Sequence, residues 1–123
     1  MNGSNILADT NILIYLTNGN SEIAGLLSET NLYISEITEI ECLSYIGLNE
    51  ADIDLLENLF RESNIVRIND EIKKRAIELK KKYSLKLPDA LIASTSLFLN
   101  CPLITADKKF RQIKELNLIF FEM

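Results

Sequence analysis

Four short, largely apolar runs, Ile6–Ala8, Asn31–Ser35, Ile65–Ile68 and Leu103–Ala106, recur along the chain, separated by stretches whose apolar residues return every three or four positions. Strand-length runs alternating with amphipathic helices over short connections leave few solutions. The strands must lie side by side in parallel, with the intervening helices covering both faces. A fifth run, from Asn117 to Phe121, would close the sheet. The predicted class is therefore α/β, a three-layer α/β/α sandwich with a mainly parallel sheet of four to five strands. At 123 residues the chain is expected to form one domain over 1–123, long enough for a substantial core.

The helical segments can be read from their periods. Ser21 to Ser28 carries Ile23, Leu26 and Leu27, and Glu50 to Arg61 carries Ile53, Leu56 and Phe60. Asp70 is placed to cap a helix whose buried stripe is Ile72, Ala76, Leu79 and Tyr83. From Pro88 onward the residues are apolar or small nearly all round, which predicts a buried central helix ended by Asn100. Ser35 is placed to cap a helix over 36–48. On it Ile37, Ile40, Ser44 and Leu48 share a face, with Glu41 at the edge of that face and Glu39 opposite. A glutamate turned inward must be paired, protonated or bound to a cation, because uncompensated burial costs several kcal/mol.

Composition removes much chemistry. The chain has no histidine, so triads with an imidazole base, zinc sites built on imidazole and histidine-based RNA cleavage are excluded. Cys42 and Cys101 are isolated from each other in sequence, and two core thiols in a reducing, cytoplasmic setting are expected. No apolar run approaches a membrane span, and the N-terminus lacks the layout of a signal peptide. Charge is strongly polarised. The first 60 residues hold ten acids and no Lys or Arg, whereas the remainder holds all 13 basic residues against eight acids. Seven of the basic residues fall between Lys73 and Lys86 and four between Lys108 and Lys114. Such runs are commonly solvated helix faces; beside an acidic centre they also form a margin that holds phosphates.

Four acids stand where a site would be. Asp9 follows the first strand and Asp107 the fourth, so both lie on the carboxyl edge of the sheet, where folds of this class bind ligands. Glu41 and Asp89 sit near the starts of helices that begin from that same edge. Each has a local alternative: Asp9, Asp89 and Asp107 can serve as helix-start acids, and Glu41 can pair with a base from the second half. Gathered in one cleft, the four would repel one another without a cation. A donor set of hard oxygens, with no nitrogen or sulfur, favours Mg²⁺ or Mn²⁺.

The segments Asp9-Thr10-Asn11-Ile12-Leu13-Ile14, Thr38-Glu39-Ile40-Glu41, Leu87-Pro88-Asp89-Ala90-Leu91-Ile92-Ala93 and Leu103-Ile104-Thr105-Ala106-Asp107 resemble, in order and separation, the four acidic motifs of the PIN-domain family. The short single-domain VapC-like toxins of toxin–antitoxin pairs are the nearest in pattern, and the resemblance covers almost the whole chain. It implies a metal-dependent endoribonuclease that leaves 5′-phosphate and 3′-hydroxyl ends. Asp9, Glu41, Asp89 and Asp107 are then the catalytic and metal-binding acids, with Thr10, Asn11 and Thr105 as supporting polar residues. The implied cofactor is Mg²⁺ or Mn²⁺. The implied partners are an RNA substrate, a small cognate antitoxin and a second copy in a homodimer. Many relatives carry a further acid after the fourth; here Lys108, Lys109 and Phe110 stand there, and the two lysines are candidates for RNA phosphate contacts. Two other readings use the same residues. One is a non-catalytic PIN-like module that binds RNA or protein. The other is a phosphatase with Asp9 as nucleophile, which is disfavoured by Asn11 in place of a second acid.

Overall fold

The computed structural model describes residues 3–122. Five strands, β1 (Asn5–Ala8), β2 (Asn31–Ser35), β3 (Asn64–Val66), β4 (Leu103–Thr105) and β5 (Leu118–Phe120), form one sheet in the order β3-β2-β1-β4-β5. Every pairing is parallel, with Leu7 opposite Tyr33 on one side and opposite Leu103 on the other. Six helices cover it: α1 (Thr10–Thr17), α2 (Ser21–Ser28), α3 (Glu36–Leu43), α4 (Glu50–Glu62), α5 (Asp70–Tyr83) and α6 (Leu87–Leu99). A 3₁₀ helix, Lys108–Gln112, follows β4.

Alternation along β1 builds the three layers. Ile6 and Ala8 pack with Ile12, Leu13, Ile23, Leu56 and Phe60 of α1, α2 and α4, whereas Leu7 packs with Ile72, Leu79, Ala90 and Ala93 of α5 and α6. Full burial of one such side chain contributes about 1.5–3 kcal/mol. Being buried on both faces, β1 is apolar throughout the positions that pair with β4.

Helix α6 is as enclosed as its composition predicts, with every residue from Ala90 to Ser96 buried. Its three buried hydroxyls are all satisfied by backbone carbonyls. Ser94 donates to Ile72 O at 2.6 Å, Thr95 to Leu91 O at 2.7 Å and Ser96 to Cys101 O at 2.8 Å. The Ser94 bond also fastens α6 to the first turn of α5. Ser84 and Asn100 adopt left-handed conformations at the ends of α5 and α6, with φ of 54° and 52°. At Ser84 this reverses the chain so that α6 starts within three residues.

Several predicted boundaries shift. Helix α3 ends at Leu43 rather than near residue 48, and its buried positions are Thr38 and Cys42, not the stripe through Ile40, which is 54% exposed. Residues 44–48 form a connection because Asn49 starts a new helix with a capping box, exchanging bonds with Asp52 at 2.8 and 3.2 Å. Helix α5 is capped by Asn69, which accepts from Ile72 N at 2.8 Å. Asp70 becomes its first helical residue, where the helix dipole favours an acid. Cys42 and Cys101 are both buried and unpaired, as two core thiols should be.

Candidate active site

The chain passes from β1 through α1 and α2 on one face of the sheet, and from β3 through α5 and α6 on the other. The change of face opens a crevice between the carboxyl ends of β1 and β4, the place where open α/β sheets accept ligands. Asp9 follows β1 and Asp107 comes two residues after β4, one on each side of that crevice.

Four acids from four separate segments, Asp9, Glu41, Asp89 and Asp107, line one cavity of about 110 Å³ there, together with Thr10, Asn11, Ile92 and Phe110. Asp9 is 3% exposed and held at both carboxylate oxygens. Ile12 N donates to Oδ1 at 3.0 Å, which makes Asp9 the cap of α1, and the Thr105 hydroxyl donates to Oδ2. Thr105 Oγ1 in turn accepts from Asp107 N at 3.0 Å, so one hydroxyl ties the two acids that flank the crevice. Asp107 caps the 3₁₀ helix by accepting from Lys109 N at 2.9 Å. Glu41 receives the Thr10 hydroxyl at 2.6 Å, and Thr10 Oγ1 also lies 3.3 Å from Oγ1 of the fully buried Thr38. Asp89 stands in the first turn of α6 beside Pro88 and makes no capping bond.

None of these four acids forms an ion pair among the described residues. For Glu41 this replaces the basic partner considered from the sequence with a threonine. Electrostatics register the crowding. Burial pushes the Asp9 carboxyl up to about 6 and the negative charges of Asp107 and Asp89 add to it, although the Thr105 and Ile12 hydrogen bonds act in the opposite sense. Asp89 is also raised, first by burial, while Lys109 and Lys86 partly offset the effect of Asp107 and Glu41. Cys42, next to Glu41, is pushed up to about 12 by burial and by the charges of Glu41 and Asp9.

Among the described residues no group of three or more Asp, Glu, His or Cys lies close enough to form a ready-made metal cage. The acids instead line the cavity from four separate segments. That arrangement fits Mg²⁺, which keeps several of its waters and takes only one or two carboxylates directly. The all-oxygen donor set and the unfavourable burial of Asp9 point the same way.

Glu39, the other acid of its motif, lines a different cavity with Leu43, Glu57, Phe60 and Arg61. Three features were not singled out from the sequence. Ile92 and Phe110 form apolar walls of the cavity, and Lys86 bears on Asp89. The period of α6 placed Ile92 only in a generally buried helix. The position of Lys86, three residues before Asp89, was the available signal for that residue.

Residues 6–116 match the PIN domain family model. No curated protein matches the chain. Among solved structures, the fold is similar to a chain of a toxin–antitoxin complex from Klebsiella pneumoniae, with TM-score 0.82 and 31% identity over 96% of this chain and 99% of that one. It is also similar to a chain of VapBC-1 from nontypeable Haemophilus influenzae, with TM-score 0.76 and 29% identity over 94% and 97% of the two chains. A chain of VapBC2 from Rickettsia felis, solved bound to a DNA fragment from its promoter, shares the fold with TM-score 0.79 and 22% identity over 96% and 99%. The match across nearly the whole sequence, together with the five-stranded parallel architecture, means that the chain belongs to the PIN domain family and is VapC-like.

Proposed function

We propose that this protein is a divalent-cation-dependent endoribonuclease and the toxin of a VapBC-type toxin–antitoxin pair, folded as a single PIN-like domain over 1–123. The observation that carries this reading is the convergence of Asp9, Glu41, Asp89 and Asp107, from four segments, on one cavity where none of them forms an ion pair among the described residues. Mg²⁺ or Mn²⁺ held by these four acids would neutralise their repulsion, attract a phosphodiester and acidify a water for in-line attack.

The chain's own residues set the geometry. Thr105 and Ile12 N fix both oxygens of Asp9, and Thr10 aims Glu41. Asn11 is exposed at the rim, where its amide can reach a substrate sugar or phosphate. Ile92 and Phe110 supply the cavity's apolar walls. Hydrolysis would leave 5′-phosphate and 3′-hydroxyl ends. A small antitoxin would inhibit the protein by covering the cavity and supplying a basic side chain, which the first 60 residues lack. Two buried, unpaired thiols suit a reducing compartment and support a cytoplasmic site of action; no described helix is long and apolar enough to cross a membrane. A homodimer is the proposed assembly.

Incubation of structured and unstructured RNA with Mg²⁺, Mn²⁺ or EDTA tests the reading. Cleavage should require the cation and disappear in Asp9→Asn; cleavage that survives both EDTA and that substitution sinks it. The polarised charge of the chain also fits one second reading, a non-catalytic PIN-like module that binds RNA or protein. A folded protein that binds neither Mg²⁺ nor Mn²⁺ at millimolar concentration would support that alternative.

A further inference from the structure

The basic residues beside the cavity come from two segments, and a hydrogen-bonded latch joins those segments. Lys86 precedes α6 and is exposed, three positions before Asp89. Lys108 and Lys109 are exposed on the 3₁₀ helix, between the cavity residues Asp107 and Phe110. Lys109 and Lys86 both act on Asp89 from opposite sides of sequence. The ion pairs among the described residues are Arg67–Glu36, Lys73–Asp70 and Lys82–Glu115, so Lys86, Lys108 and Lys109 have no carboxylate partner there.

Glu115 joins the two segments. Its Oε1 accepts from the Tyr83 hydroxyl at 2.6 Å and its Oε2 from Lys82 Nζ at 3.0 Å, while Lys114 N donates weakly to the Tyr83 oxygen at 3.4 Å. The end of α5, three residues before Lys86, is thereby tied to the stretch that follows the 3₁₀ helix. The other margin of the cavity, formed by the first 60 residues, contains no base at all.

We propose that Lys86, Lys108 and Lys109 form a one-sided shelf that binds the phosphate backbone of the RNA substrate along the Asp89–Asp107 side of the cavity, and that the Tyr83–Glu115 latch sets the spacing of its two halves. This rests on the nuclease reading above. Tyr83 and Glu115 are positioning residues; the lysines make the contact.

The test is fluorescence anisotropy of a labelled single-stranded oligouridylate, with Ca²⁺ in place of Mg²⁺, the RNA checked intact on a gel and each variant held well below its melting temperature. K86A/K109A should weaken binding about tenfold and lower the steepness of the log–log salt dependence by about 1.4, the value for two lost phosphate contacts on a single strand. K73A/K74A removes the same charge from the first half of α5 and should leave affinity near the wild-type value.

The latch gives the sharper result. E115Q removes a negative charge from the latch, so charge alone would tighten binding of a polyanion, whereas loss of the latch should weaken it by about three- to fivefold, and Y83F should do the same at constant charge. Tighter binding by E115Q with Y83F unchanged overturns the latch. Equal affinities for K86A/K109A and K73A/K74A, in a protein that still cuts RNA, overturn the shelf and leave the nuclease reading intact. Shelf-dependent binding without cleavage in Mg²⁺ has the reverse meaning: the shelf stands and the nuclease reading fails.

Discussion

Thr105 and Asp9 lie 96 positions apart in sequence and share a buried hydrogen bond, the threonine hydroxyl donating to Asp9 Oδ2. The same oxygen of Thr105 accepts from Asp107 N, so the residue at the end of β4 orients one acid by its side chain and another by its backbone. Thr105→Val keeps the shape and removes both bonds. It should destabilise the protein by about 1–3 kcal/mol, because Asp9 and Asp107 N lose a buried partner. RNA cleavage should fall by at least about tenfold, whereas Thr105→Ser should retain most of both properties. Thermal unfolding and cleavage rates measure the two effects; wild-type values for Thr105→Val would show that Thr105 only fills space.

Asp9 itself should cost the metal-free protein stability at neutral pH. Its carboxyl is raised from an ordinary value of 3.8 to about 6, so between these pH values the unfolded chain releases a proton that the folded chain retains. Stability therefore falls as pH rises through this window, and the penalty stays constant above it. Asp9→Asn removes the charge but keeps an acceptor for Ile12 N. In EDTA it should melt higher than wild type at pH 7, by no more than about 3 kcal/mol in stability, and the gap should close towards pH 4. Mg²⁺ should raise the melting temperature of wild type and not of the variant. A variant that is less stable than wild type at pH 7 in EDTA would refute this balance.

Thr10 offers a more local test. Its hydroxyl reaches Glu41 at 2.6 Å and sits beside the buried Thr38, so Thr10→Val frees Glu41 to turn away from the cavity. Cation affinity, read by calorimetry, should drop about threefold to tenfold, within the ordinary net worth of one hydrogen bond, about 0.5–1.5 kcal/mol. Melting in EDTA should change little, since Thr10 is only partly buried. Unchanged affinity would remove Thr10 from the set of supporting residues.

At the latch the pH dependence has the opposite sign. The Tyr83 and Lys82 hydrogen bonds hold the Glu115 carboxyl down at about 2, below its ordinary 4.5. Its contribution is present above pH 4.5 and is lost as pH falls towards 2. Because Glu115 is exposed, solvent screening keeps that contribution below about 1 kcal/mol. E115Q should flatten the acid limb of a stability–pH curve by this small amount, and an unchanged acid limb would count against the bond.

Much of the architecture is legible from local pattern. Helix α2 and strand β2 fall on their predicted bounds, and the all-round apolar character of the segment after Pro88 marks α6 as buried. The face of α3 was not legible. Its apolar residues point to Ile40, but the helix turns Thr38 and Cys42 inward, because Thr38 meets Thr10 and the helix stops at Leu43. Periodicity counts hydrophobicity and is blind to a threonine that is buried to support a carboxylate. The same limit hid Lys86, whose role depends on which loops stand next to each other.

By itself, the sequence determined that the chain alternates strand and helix, that histidine chemistry is excluded, and that Asp9 and Asp107 follow strands on the same edge of the sheet. These follow from residue type and short-range period, which are properties of neighbours along the chain. Only the tertiary structure decided that β1 and β4 are adjacent, with β2 and β3 on one side and β5 on the other. Strand order depends on which faces the crossovers cover, and thus on long-range packing of α1, α2 and α4 against Ile6 and Ala8 and of α5 and α6 against Leu7. That packing brings Asp9 within reach of Thr105 and sets four distant acids around a single cavity.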